Sequence, residues 1–250
     1  MRWLATLALL AIAVFAPEAA KAQNRCYNCH LAQQREEDAD HLRDWRDSVH
    51  DRAGVGCEDC HGGDAGTLVQ LRAHRGVLHS LLRKSPTHWK NLPSTCGGCH
   101  ETLFAAAQRS AHWALFSEGE RRAPSCATCH GPLAVAGLGS GGLSGQCSTC
   151  HEADSEVGRQ MGRRSYLARI REVRAVVQRV GRRVLQIRDP GVRHDAGAVY
   201  FDGQQTWEEA MEEAHAFELT EMLESLDRAE DRLLELESAL AEMNEEQRER

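Results

Sequence analysis

All ten cysteines of this 250-residue chain fall into five pairs of one form, two cysteines separated by two residues and followed at once by histidine. The copies are Cys26-Tyr-Asn-Cys29-His30, Cys57-Glu-Asp-Cys60-His61, Cys96-Gly-Gly-Cys99-His100, Cys126-Ala-Thr-Cys129-His130 and Cys147-Ser-Thr-Cys150-His151. One such pair alone would also suit a redox dithiol or half a zinc site. In an exported chain, ten cysteines in other positions would suggest disulfides. Five histidines in one register argue against all three readings.

The repeated unit is the attachment sequence for c-type haem. Two thiols add to the two vinyl groups of the porphyrin, and the next residue supplies a proximal imidazole to iron. Five covalently bound haem c groups are expected, with His30, His61, His100, His130 and His151 as metal ligands. All five motifs lie between Cys26 and His151, which leaves roughly 25 residues per haem, too few for each to build its own apolar core. The expected fold is all-α and irregular, with the haems as the core. Closely packed haems would pass electrons among themselves.

Eight further histidines could fill sixth coordination positions. No methionine lies between Gln23 and Gln160, so histidine on both faces of most irons is the expectation. Ser48-Val-His50 precedes the second motif and Ser110-Ala-His112 the fourth, a weak internal repeat that favours His50 and His112. His74 and His79 follow the second motif, and His88-Trp89 precedes the third and resembles His112-Trp113. These three complete the candidates in the haem region.

The stretches "SVHDRAGVGCEDCHGG", "RAH" and "CGGCHETLFAAAQRSAHWALFSEGERRAPSCATCHG" resemble the periplasmic multihaem c-type cytochromes related to the tetrahaem cytochromes of ammonia oxidisers, hydroxylamine oxidoreductase and the pentahaem nitrite reductases. The resemblance implies distal ligation by the histidines of the Ser-x-His units, His50 and His112. It also implies a catalytic lysine in the nitrite reductases, and here all five motifs end in histidine. Many relatives carry a histidine soon after the later Cys-His-Gly, whereas here Gly131-Pro132 opens a glycine-rich run with none before His151. That leaves one distal ligand to come from elsewhere. No catalytic residue is assigned.

The glycine-rich run from Gly131 to Gly145 lacks the Gly-Lys-Ser/Thr ending of a phosphate loop and reads as a loop over a haem edge. Beyond it the composition changes. Tyr166, Ile170, Val173, Val177, Val180, Val184 and Ile187 form one heptad seam, closed by Asp189-Pro190-Gly191, and a second seam runs from Leu219 to Met243. The segment from Gly191 to Gln205 between them reads as turn-rich. Nine arginines against one glutamate from Arg163 to Arg188, and sixteen acids against four arginines from Thr206 to Arg250, predict a long antiparallel, coiled-coil-like hairpin of a basic and an acidic helix. The acidic helix, at roughly 40 residues or about 60 Å, would outrun its partner and offer a site for homo-oligomerisation. His194, in the connecting segment, and His215, on the inner seam, are the candidates for the missing distal ligand. His194 is preferred.

Residues 1–22 read as a signal peptide: Met1-Arg2, an apolar run from Trp3 to Ala16, and Ala20-Lys21-Ala22 before Gln23. The run is short for a membrane span, so no stable span is expected once it is cleaved, and the mature chain is placed in the periplasm. The expected organisation is a pentahaem cytochrome domain over 23–160 and the helical hairpin over 161–250. Its function would be electron transfer between redox partner proteins, a quinol-oxidising or dehydrogenase donor and a terminal reductase or outer acceptor. The alternatives are an oxidoreductase with one open haem acting on a small nitrogen or sulfur compound, and a membrane-anchored quinol dehydrogenase subunit. The net charge of −7 and the export signal argue against nucleic acid.

Overall fold

A computed structural model of the chain describes residues 24–33, 35–131, 147–152, 155 and 165–249. The expected signal peptide, nearly all of the glycine-rich run and the boundary at 160–161 lie outside the described residues. Twelve α-helices and no strand occur among the described residues, in keeping with an all-α multihaem fold. Nine short helices come first: α1 (Arg25–Gln33), α2 (Glu36–Asp47), α3 (Val49–Ala53), α4 (Cys57–His61), α5 (Gln70–Ala73), α6 (Leu92–Gly97), α7 (Glu101–Ala107), α8 (Ala111–Ser117) and α9 (Cys126–His130). Three long ones follow: α10 (Ser165–Gln186), α11 (Pro190–Ala216) and α12 (Leu219–Glu249).

The short helices own little apolar interior. Trp45, Pro93, Ala106 and Phe116 are their buried apolar residues, and Ala123 is buried between α8 and α9. Trp45 ties three elements together: its indole N–H donates to the Val55 carbonyl at 3.1 Å, and its ring lies 5.2 Å from Tyr27. Phe104, Trp113, Phe116 and Trp89 form a second aromatic cluster, with successive ring centroids 5.3, 5.3 and 5.7 Å apart. Two such clusters do not make a core for a region of this length.

The large core belongs to α10–α12. Val173, Val177, Val180 and Val184 of α10 meet Met222, Leu226, Leu233 and Leu240 of α12, as both seams predict. The segment expected to be turn-rich is instead helical, because Asp189 and Pro190 begin a helix as well as ending one. The Asp189 carboxylate accepts from the N–H groups of Gly191 and Val192 at 2.9 and 3.0 Å, and Pro190 takes the first turn, where its missing donor costs nothing. α11 then buries Ala196, Gly203 and Ala210, one residue per heptad. A Cβ on Gly203 would stand 2.9 Å from the Leu233 side chain, so the absence of a side chain lets the two helices approach closely.

The inserted helix changes which partners form the hairpin. α11 and α12 are its antiparallel arms, closed at Phe217, and α10 packs alongside. The basic and acidic helices consequently run parallel. Arg169 pairs with Asp227 and Glu230 at 2.6 Å each, and ten residues further along both helices Arg179 pairs with Glu237 at 2.8 Å. The expected overhang of the acidic helix shrinks as well, because α10 and α11 both lie along it.

Candidate haem-binding sites

The second and fourth Cys-x-x-Cys-His units each begin a short helix directly after a capping residue. In α4, Gly56 precedes Cys57, and its N–H donates to the Asp59 carboxylate at 2.6 Å. In α9, Ser125 and Thr128 make the reciprocal pair, the Ser125 N–H donating to the Thr128 hydroxyl at 3.1 Å. Gly62 and Gly131, directly after the second and fourth motif histidines, both have φ of 73°, a conformation that glycine adopts without strain. None of the ten cysteines forms a disulfide.

The Ser-x-His repeat has a structural cause. Ser48 and Ser110 are the N-caps of α3 and α8. Each hydroxyl accepts from the N–H three residues on, that of Asp51 at 3.3 Å and of Trp113 at 3.1 Å. Each also donates to the carbonyl three residues back, that of Trp45 and of Ala107, both at 2.7 Å. The cap places His50 and His112 at the same position in the first turn of their helices. Both serines are buried, so the two hydroxyls are satisfied inside the protein and the helix starts cannot drift.

Each of the five motif histidines faces one other histidine. Ring centroids are 6.0 Å apart for His30 and His74, 5.9 Å for His61 and His41, and 6.3 Å for His100 and His50. They are 5.9 Å apart for His130 and His215, and 6.1 Å for His151 and His112. An imidazole nitrogen sits about 2.0–2.1 Å from a first-row metal ion, and the ring centroid lies roughly 1.1 Å behind it, so two rings on opposite sides of one iron stand about 6.3 Å apart. All five gaps fit a haem iron between two histidines. At the second motif, His41, Trp45, Cys57, Cys60 and His61 line one cleft.

Four of these histidines are biased toward the neutral form. Burial first, and the facing histidine second, holds His50, His61, His112 and His130 below the usual imidazole pKa. Neutral imidazole is the form that binds metal. His74 and His215 place Nδ1 at 2.9 and 2.6 Å from the carbonyls of Gln70 and Met211. A carbonyl only accepts, so Nδ1 carries the proton and Nε2 keeps its lone pair.

Of the distal candidates, the structure brings His50, His74 and His112 against a motif histidine and leaves His79, His88 and His194 apart from one. At His79 and His88 the Nδ1 atom accepts from a backbone N–H, of Leu81 at 3.2 Å and of Lys90 at 3.3 Å. A neutral ring bonded in that way carries its proton on Nε2. His88 is buried against Trp89. His194 lies on α11, in an open groove with Pro190, Arg193 and Phe201 that contains no motif residue. His41 and His215 take the remaining two places. His41 was legible only as a histidine in a charged helix. His215 had a signal, an inward position at the end of a seam.

The cysteines of successive motifs are neighbours. Burial pushes the Cys57 thiol up to about 12, with Cys26 adding to the effect. Cys60 is raised by burial and, more weakly, by Asp59 and Cys99. Cys96 and Cys126 share a hydrogen bond, and Cys129 feels Cys147 and Cys150. The five motifs thus follow one another in space in chain order.

Residues 83–152 match the family described as cytochrome c7 and related cytochrome c. Residues 11–62 match the family described as cytochrome c554 and c-prime. This is multihaem c-type cytochrome sequence. The matched families imply covalently bound haem c and electron transfer with redox partner proteins. No curated protein and no solved structure matches the chain. No helix among the described residues is long and apolar enough to cross a membrane.

Proposed function

We propose that this cytochrome is an exported periplasmic pentahaem electron carrier in which every iron is held between two histidines. The pairs are His30 with His74, His61 with His41, His100 with His50, His130 with His215, and His151 with His112. The observation that carries this reading is that each motif histidine faces a second imidazole at 5.9–6.3 Å.

Haem, when bound, supplies a one-electron couple at each site. The chain's own residues do the rest. The five motif histidines and the five that face them would hold the irons, and two imidazoles per iron would favour low potential relative to a methionine ligand. The Gln70 and Met211 carbonyls fix the tautomers of His74 and His215. Ser48 and Ser110 fix the helix starts that carry His50 and His112. With no coordination position left open, small molecules would have no iron to bind, and the protein would connect a donor to an acceptor. A quinol-oxidising or dehydrogenase donor and a terminal reductase or outer acceptor suit a carrier of this kind.

Intact mass and the Soret spectrum test the proposal together. A mass equal to residues 23–250 plus five haems, and a reduced spectrum unchanged by carbon monoxide, are expected. A carbon monoxide-binding, high-spin haem in the unaltered protein would overturn full bis-histidine ligation and favour an oxidoreductase with one open iron.

A further inference from the structure

We infer that Phe217 is a positioning residue for His112, by which the C-terminal bundle sets the orientation of a ligand on the fifth motif. The inference rests on the proposed pairing of His112 with His151.

Phe217 is the one non-glycine among the described residues with positive φ, at φ 63° and ψ 27°. It ends α11 in the left-handed conformation that glycine and asparagine usually fill. A bulky side chain is unfavourable there, and burial does not explain its presence, since 41% of the residue is exposed. What the ring does is meet His112. Their centroids are 4.4 Å apart with planes at 80°, an edge-to-face contact. His112 faces His151 as well, at 6.1 Å and 54°. The imidazole is therefore gripped by Phe217 while it addresses the fifth motif.

The turn that carries Phe217 is itself held. The Phe217 N–H donates to the Ala214 carbonyl at 3.3 Å, and the Glu218 N–H to that of Glu213 at 2.9 Å. Glu218 also pairs with Arg109 at 3.3 Å. Arg109 directly precedes Ser110, the cap that starts the helix bearing His112. Both ends of the contact are thus fixed to one another independently of the ring pair. An unfavourable backbone conformation maintained around a ring on a ligand is the signature of a positioning role.

Electron paramagnetic resonance of the ferric full-length haem protein tests this, because the signal of a low-spin haem depends on the angle between its two imidazole planes. F217G accepts the left-handed conformation and removes the ring, while F217L keeps bulk without an aromatic edge, and F217Y keeps the edge. One of the five low-spin signals should move in F217G and F217L, stay in place in F217Y, and leave the other four unmoved in all three. Five signals coincident with those of the unaltered protein, in F217G and F217L alike, would overturn the role of Phe217. H112A separates this from the underlying reading. Loss of one low-spin signal there with no shift in the Phe217 variants refutes the positioning role alone, whereas five retained low-spin signals in H112A refute the His112–His151 pairing.

Discussion

His215, at the end of α11, lies opposite His130, the ring centroids 5.9 Å apart and the ring planes only 13° from parallel. The other four histidine pairs are tilted by 53° to 82°. The fourth motif thus receives its partner from the long-helix region, through a ring whose tautomer the Met211 carbonyl sets.

Replacing His215 by alanine should leave one haem in five without a sixth ligand. The expected result is a high-spin component of about one fifth of the Soret absorbance that binds carbon monoxide. H194A, in the open groove on the same helix, should show none. A reversed pattern in these two spectra would move the ligand to His194.

Ser48→Ala and Ser110→Ala each remove an N-cap, a loss of about 1 kcal/mol in typical helices. Both should lower the unfolding temperature by several degrees and raise the high-spin fraction, since each cap also places a histidine. Threonine in either position should restore most of both. Loss of stability with no change in spin state would reduce the serines to helix caps only.

These caps show how much was legible beforehand. Ser-x-His repeats stood out in the sequence because a cap needs serine at a fixed distance from the residue it positions. The attachment cysteines and motif histidines were equally plain, since their spacing is set by porphyrin chemistry. α11 was not. Its buried positions are Ala196, Gly203 and Ala210, which lack the apolar bulk that marks a seam, and Pro190-Gly191 looks like a break when read alone. With that helix unseen, the basic and acidic helices had to be taken as an antiparallel pair. The distal partners were partly hidden for another reason. His41 meets a motif beyond two helix breaks and His215 meets one across the bundle, and no sequence spacing records such contacts.

Gly203 offers a test of the close helix approach. Gly203→Val should destabilise the bundle by about 1–3 kcal/mol through overpacking against Leu233, measured by thermal unfolding of the helical signal. Because α7 packs on α11, the change should also disturb the haem spectra. An unfolding curve matching the parent would mean that α11 and α12 separate at no cost.

Acid should weaken the α10–α12 contact. Hydrogen bonds from Arg179 hold the Glu237 carboxyl below its ordinary 4.5. A depressed carboxylate stabilises the fold above its unfolded value, and that contribution is lost as pH falls through the lower folded value. At this half-buried, solvent-screened site it amounts to less than about 1 kcal/mol. The unfolding temperature of E237Q should lie below that of the parent at pH 7, and the gap should narrow as pH falls below 4.5. A gap that stays constant as the carboxylate is titrated would assign the effect to packing.

The pairing of His130 with His215 also bears on how the protein is made. A chain that emerges from its N-terminus first presents Cys126, Cys129 and His130 well before His215. Under the proposed ligation, the other four distal histidines lie no further along than His112, so the fourth site is the last to close. Its spectrum would then serve as a gauge of chain completion: a protein clipped between His151 and His215 would keep all five motifs and still betray the cut by its colour.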